Sequence, residues 1–329
     1  FSDNYPPETN APAVRTREHA RVWVERGHDV TVVTCAPNFP TGRLHEGYRN
    51  AYSVETVEGV RVVRVWSYIA ANRGTVRRSL DFLSFMLSAV PAGLFQSRPD
   101  VVVGTSPQLF AVVTAWLVAR LRRAPCVFEL RDLWPESISA VGAVLDRPSL
   151  RMMSNVAHFL YQRADAIVSV TESFVEVLAS RGISRDKMAV VRNGVNLAYF
   201  EGDPAPSTVR SDAGIGDGHF LVTYVGTIGM AHGLGSVLDA AKMSEQEPIH
   251  YLFVGEGAEK SRLEKEADGR GLANVTFLGN RPRDDIPGIL AASDAVVVHL
   301  KDDPLFGTVI PSKIFEAMAA GVPIIHAVR

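Results

Sequence analysis

The chain has 329 residues, 47% of them hydrophobic and 21% charged, which gives room for two ordinary domains and excludes a disordered polypeptide. A formal charge of −2 excludes a strongly basic nucleic-acid binder. The longest apolar region, 80–95, carries Asp81, two serines and Pro91, so no clean run of about 18 apolar residues is available to span a membrane.

In chain order, residues 1–3 read as the end of a first strand, followed by a loop over 4–12 and a helix over 13–26 that stops at Gly27. Residues 29–35 (DVTVVTC) form a buried strand, and 54–57 and 60–66 flank Glu58-Gly59 as a hairpin. A helix capped by Ser79 leads to strand 100–105, helix 109–122 and strand 126–130. After an irregular segment come helix 150–163, strand 166–170, helix 172–180 and strand 188–191. Residues 201–218, rich in Pro, Gly, Ser and Asp, keep no period and mark a linker. The alternation then restarts, with strands over 220–225, 250–254, 275–278, 295–299 and 322–326. Helices over 236–242, 258–267, 285–291 and 312–320 separate them.

Helix-separated apolar strands build parallel sheets covered on both faces. The expectation is an α/β protein of two Rossmann-like, doubly wound domains, 1–200 and 219–329, facing a cleft. Ligands in such sheets lie beyond the carboxyl ends of the strands, so binding residues are sought in the loops after strands. The last strand ends three residues before Arg329, which predicts an incomplete C-terminal end. The start at Phe1 without methionine predicts a short missing N-terminal piece and leaves a removed signal segment open. Cys35 and Cys126 lie in strand runs and read as reduced core residues of a cytosolic protein. Residues 1–200 hold 23 Lys and Arg against 18 Asp and Glu, and the remainder 11 against 18. An arginine excess in the first part suits phosphate or anionic lipid, and ordinary scatter between domains accounts for it equally well.

The segment 306–323, FGTVIPSKIFEAMAAGVP, carries the most chemistry. Pro311 and Ser312 open its helix, Gly321 ends it, and Lys313 lies in the first turn, where a cation is unfavourable for the helix itself. That placement points to a bound anion such as a phosphate. Glu316, one turn further, is placed to accept from vicinal hydroxyls such as those of a ribose. A surface-charged amphipathic helix is the plainer alternative. Asp302-Asp303 before Pro304 reads as a turn, and no metal site is expected. His19 and His158 lie on helices and read as structural.

This segment resembles the nucleotide-sugar motif of the family 4 retaining glycosyltransferases, which have the GT-B fold. Glu316-Ala317-Met318 and Gly321-Val322-Pro323 match the second part of that motif, while Thr308 stands where the family has a first glutamate that contacts the donor sugar. The resemblance implies that Glu316 binds the ribose and that Thr308, with the N–H groups of Val309 and Ile310, helps hold the sugar. It extends to Arg192-Asn193-Gly194-Val195-Asn196 with Phe200, to Tyr224-Val225-Gly226 followed by Gly233, to Val254-Gly255-Glu256-Gly257 and to Phe277-Leu278-Gly279. Thr227 and His232 stand where the family's phosphate loop usually has an arginine and a lysine. The implied donor site is Gly226, Thr227, Thr308, Val309, Ile310, Ser312, Lys313, Glu316, Gly279 and Arg281, with His232 taking a share of the diphosphate by protonation.

Tyr5-Pro6-Pro7-Glu8, Arg131-Asp132-Leu133-Trp134-Pro135-Glu136 and Pro311-Ser312-Lys313 resemble a bacterial branch, the N-acetyl-L-fucosamine transferases and relatives of O-antigen and capsule synthesis. The resemblance implies a metal-independent, retaining transferase with no cofactor beyond a UDP-sugar co-substrate. Arg131, Asp132, Glu136 and His232 are its candidate catalytic residues. A lipid-diphosphate-linked or glycan acceptor is expected on the first domain, near Asn10 and the cluster Arg73, Arg77 and Arg78 ahead of the apolar run after Ser79. Basic residues beside apolar surface suit a cytoplasmic protein resting on the inner face of the membrane, and a buried helix with a solvated arginine loop suits them as well. Two other readings are a non-hydrolysing UDP-N-acetylglucosamine 2-epimerase and a two-lobed solute-binding protein. The first needs several cleft acids that the sequence does not assemble; the second has no use for the 311–316 arrangement.

Overall fold

Successive side chains of a strand point to opposite faces, and the near-continuous burial along strands such as 249–254 and 295–299 shows both faces covered. The computed structural model describes residues 1–39, 41–69, 75–134, 136–137, 147–201, 208–216 and 218–328. They fall into two units, Phe1–Arg192 and Asn193–Arg329.

In the first unit, β1 (Thr31–Cys35) pairs parallel with β3 (Val60–Val65), and β2 (Ser53–Val57) closes an antiparallel hairpin on β3. A second ladder, all parallel, runs β4 (Val102–Thr105), β5 (Cys126–Leu130), β6 (Ala166–Ser169), β7 (Met188–Val190). Phe1 and Ser2 join the two: Ser2 N donates to Val33 O at 3.2 Å, the Phe1 nitrogen to Val103 O at 2.7 Å, and Thr105 N to Phe1 O at 3.2 Å. The expected first strand is thus a two-residue bridge rather than a strand of its own. Val33 packs with Phe85, Ala89 and Ala92 of α2 (Thr75–Leu94), while Val32 packs with Ala20 of α1 (Ala11–Glu25) on the other face. Further helices among the described residues are α3 (Leu109–Arg122), α4 (Arg147–Arg163) and α5 (Glu172–Ser180).

Helix α2 corrects one expectation. It begins at Thr75, so Ser79 is a helical residue and not its cap, and Asp81 lies past the first turn. The helix is also two-faced: Phe85 is buried, while Leu80, Leu83 and Leu87 are exposed at helical spacing. No helix among the described residues is long and apolar enough to cross a membrane. Cys35 and Cys126 are buried free thiols.

The second unit holds five parallel strands in the order β10-β9-β8-β11-β12. They are β8 (Phe220–Val225), β9 (Ile249–Val254), β10 (Val275–Leu278), β11 (Ala295–His299) and β12 (Ile324–Ala327). Inside the stretch expected as a linker, α6 (Val209–Asp212) makes one helical turn, and Val209 and Ile215 are buried against Leu221, Leu252 and Ile289. A single turn with two anchors leaves no period to read. Tyr224 and Phe253 face the opposite side, under α7 (Gly235–Met243) and α8 (Lys260–Arg270). Two short helices, α9 (Ile286–Ala291) and α10 (Lys313–Ala319), complete the unit.

Candidate active site

Strand order decides where the loops of the second unit meet. The chain runs outward from β8 through β9 to β10, then returns to set β11 on the other side of β8. The carboxyl ends of β8 and β11 therefore flank the switch point, where such sheets open a crevice.

Gly226 follows β8 at φ +129°, a conformation side chains rarely adopt. Its N–H donates to Val254 O at 2.9 Å, and Ile228 N donates to Glu256 O at 2.9 Å. This approach explains the 254–257 turn: a Cβ on Gly255 would stand 2.1 Å from Gly226 O, and one on Gly257 2.2 Å from Ile228 O. Those glycines let two loops lie backbone to backbone. On the β11 side, Lys301 N donates to Ala231 O at 2.9 Å and His299 Nδ1 to His232 O at 2.6 Å. The loop from Gly226 to Gly233 is therefore tied at both flanks.

Lys313, the first residue of α10, reaches into this loop. Its Nζ lies 3.8 Å from the centre of the Tyr224 ring, and a Cβ on Gly226 would stand 3.3 Å from it. Both Lys313 Nζ and His232 Nδ1 are buried without a hydrogen-bond partner among the described residues. Burial pushes the lysine ammonium down to about 7, with Glu316 pulling the other way. Two buried polar atoms without a hydrogen-bond partner among the described residues, both on groups set against the Tyr224 ring, suit a site for an anion.

The surroundings of His232 oppose the protonation expected of it. Burial, reinforced by the Lys313 charge, pushes its imidazole down to about 3, so the ring is neutral at physiological pH. It can donate or accept one hydrogen bond and brings no charge. Burial raises the Glu316 carboxyl, and Arg283 and Lys313 draw it back. The arginine whose charge acts on Glu316 is Arg283, which also stacks over Tyr199 at 4.9 Å. Arg281, expected on the donor, pairs with Asp212 at 3.0 Å. Nothing in the sequence ranks one arginine of Arg281-Pro282-Arg283 above the other.

The other expected donor residues lie around this core. Thr227 O accepts from the Tyr224 hydroxyl at 2.6 Å. Thr308 donates its hydroxyl to Leu305 O at 2.6 Å within its own turn, and Val309 N donates to Phe306 O at 3.4 Å. Ile310 is exposed, and Ser312 precedes α10 without a side-chain capping bond. Gly279 abuts Glu256, which pairs with Lys260 at 2.5 Å. Asp303 Oδ1 accepts from Leu305 N at 2.9 Å, as a turn residue does.

In the first unit, the carboxyl end of β5 gathers a second cluster. Glu129 is buried and accepts from Arg15 Nε at 2.6 Å, with His19 Nδ1 at 3.7 Å. Burial would raise its carboxyl, but Arg15, Arg131 and His19 outweigh it and hold it below the usual range. Ser106 Oγ accepts from Arg131 N at 2.8 Å and Asp132 N at 3.3 Å, fixing the turn after the strand. Burial raises the Asp132 carboxyl, with Arg131 opposing. Glu136 pairs with Arg181 at 2.7 Å while its other oxygen is buried and unpartnered among the described residues. Asn10 caps α1 by accepting from Ala13 N at 3.1 Å. Arg77 is exposed; Arg73 and the side chain of Arg78 lie outside the described residues. Glu129 and Arg15 carried no motif, and His19 read only as a structural residue on a helix.

Two family models account for most of the chain: residues 10–194 match the glycosyl transferase 4-like domain and 207–328 the glycosyl transferases group 1. The chain belongs to this glycosyltransferase family. It is 27% identical, over 98% of its length and 80% of the relative's, to the putative colanic acid biosynthesis glycosyl transferase WcaI of Escherichia coli. Its fold is that of the GT-B glycosyltransferases. Sucrose-phosphate synthase of Thermosynechococcus elongatus superposes with a TM-score of 0.73 at 18% identity, covering 99% of this chain and 77% of that one. Anabaena HepE in complex with UDP and glucose gives 0.68 at 18% identity, covering 99% and 80%. The glycosyltransferase is an enzyme, which leaves the solute-binding reading without support.

Proposed function

We propose that this glycosyltransferase moves an N-acetylated amino sugar, with retention, from a UDP-sugar to a lipid-diphosphate-linked or glycan acceptor in bacterial surface polysaccharide synthesis. The observation that carries the donor half is the buried, unpartnered Lys313 ammonium at the Gly226 turn. The WcaI name and the UDP and glucose held by HepE support the pathway and the nucleotide. The amino sugar rests on the branch tripeptides.

In the reaction, the bond between the anomeric carbon and the β-phosphate oxygen breaks, and its electron pair stays on the diphosphate. Lys313 meets that growing charge, and neutral His232 offers one hydrogen bond beside it. The acceptor hydroxyl adds to the same face of the sugar and gives its proton to the departing phosphate oxygen, releasing UDP. The countercharge comes from a side chain, so this route calls on no metal. Arg131, Asp132 and Glu136 are proposed for the acceptor side, the first two on a turn fixed by Ser106.

The test is a thermal-shift panel of UDP-, GDP- and dTDP-sugars, followed by UDP release with and without acceptor and by the anomeric configuration of the product. Stabilisation by UDP-N-acetylglucosamine is expected; preference for another base overturns the donor, and an inverted product overturns retention. Glu316→Gln keeps an acceptor but loses its charge, and UDP binding should weaken by about 1 kcal/mol. Unchanged affinity in calorimetry removes Glu316 from the ribose.

The membrane reading is kept as a proposal on the outward face of α2, where Leu80, Leu83 and Leu87 are exposed and Arg77 lies one turn before them. A cytoplasmic protein would rest there reversibly, each basic residue adding about 1 kcal/mol near an anionic surface. Sedimentation with anionic vesicles should be lost in high salt and in a variant with Arg73, Arg77 and Arg78 changed to Glu. Equal binding by native and variant chains rules this patch out.

A further inference from the structure

Tyr224 is buried on β8 and packs in the core beside Phe253, with ring centres 6.1 Å apart. Packing alone would ask only for an aromatic ring. Two further contacts lead from it into the site. Its face receives Lys313 Nζ at 3.8 Å, and its hydroxyl donates to Thr227 O at 2.6 Å, one residue beyond Gly226. The His232 ring lies edge-on to it, with centres 5.8 Å apart.

A buried ammonium is costly, and most are held by a carboxylate or by carbonyl oxygens. Either partner would occupy N–H donors, and a carboxylate would also repel an incoming diphosphate. An aromatic face attracts the cation through its quadrupole while leaving those donors unspent. The same ring is anchored at its far end to the Gly226–Thr227 turn, so one side chain contacts both the cation and the backbone beside it.

We propose that Tyr224 is a positioning residue for the donor's diphosphate, holding the Lys313 ammonium at the Gly226 turn and fixing the Thr227 carbonyl. This rests on the nucleotide-sugar reading above. A core aromatic with no such role would be indifferent to the charge on its face, provided its shape were kept.

The test replaces Tyr224 with phenylalanine and then with phenylalanines bearing one, two and three ring fluorines, which drain the face of charge with little change of shape. Binding of UDP and of uridine is measured for each, in the native background and with Lys313→Met. UDP affinity should fall stepwise, by about 3- to 30-fold across the series. Uridine affinity should hold, and the gradient should vanish with Lys313→Met. A UDP affinity that is constant across the series overturns the role of Tyr224 while leaving the donor site standing. A parallel fall in uridine affinity, or a gradient that survives Lys313→Met, also overturns it, because the ring then acts through packing. If the native chain binds neither ligand, the nucleotide reading fails and this role fails with it.

Discussion

Lys313→Met should lower UDP affinity by about 10- to 150-fold, the worth of a charge-assisted hydrogen bond at about 1.5–3 kcal/mol. The effect is large because the ammonium is already desolvated: its burial has been met in folding, and a diphosphate finds it unpartnered. The pH dependence gives a second readout. With its pKa pushed down to about 7, Lys313 loses its proton in the free protein as pH rises from 7 to 9. A bound diphosphate favours the ammonium, so binding takes up a proton and UDP affinity falls over that window. The facing groups do not confuse the sign. Burial raises the Tyr224 phenol and the Glu316 carboxyl and lowers the His232 imidazole, so none of them offers a second cation to be lost between pH 7 and 9. Native affinity should therefore decline from pH 7 to 9 while Lys313→Met stays weak and flat. Linkage gives a matching trend in the free protein. The unfolded lysine holds its proton up to its ordinary pKa and the folded one only to about 7, so stability rises with pH between them. The Met variant should lack that rise. A flat native profile in calorimetry would show that Lys313 is not the diphosphate's partner.

The division between what sequence shows and what it hides follows from range. Strands such as Val275–Leu278 and Ala295–His299 and the helices Leu109–Arg122 and Glu172–Ser180 stand where period and turn residues put them, because those signals are local. The Lys313 and Glu316 pair was legible for the same reason, being one turn apart on a short helix. What stayed hidden depends on contacts across long separations. No local pattern says that Tyr224 lies under Lys313, that His299 holds the His232 carbonyl, or that the charge of Arg283 acts on Glu316. Charge was the least legible property. His232 stands where a basic residue is usual, yet burial beside a lysine keeps it neutral. Helix α2 shows the opposite failure: its composition is apolar nearly all round, and only packing separates buried Phe85 from exposed Leu83 and Leu87.

Arg15→Ala should destabilise the first unit by about 3–5 kcal/mol, because it leaves a buried carboxylate without its main partner. Arg15 and Glu129 side chains are each only 9% exposed, so solvent offers little compensation. All four tryptophans, Trp23, Trp66, Trp116 and Trp134, belong to the first unit, and urea unfolding followed by their fluorescence reports on it separately. The sign with pH is fixed by the Glu129 shift. Its folded pKa lies below the unfolded value, so the pair stabilises fully above the ordinary carboxylate range and less as pH falls through the folded pKa. In Arg15→Ala, burial dominates instead and the carboxyl moves upward, so the variant's deficit should shrink as the solution is made acidic. Glu129→Gln added to Arg15→Ala removes the uncompensated charge and should recover a good part of the loss at pH 7.5. That recovery distinguishes a stranded charge from lost packing, since a cavity left by the arginine side chain would remain in both. Failure of the double variant to recover would place the energy in the arginine's own contacts, including its long bond to Val191 O at 3.4 Å. Arg131, which also faces Glu129, would then be the residue that keeps the carboxylate ionised.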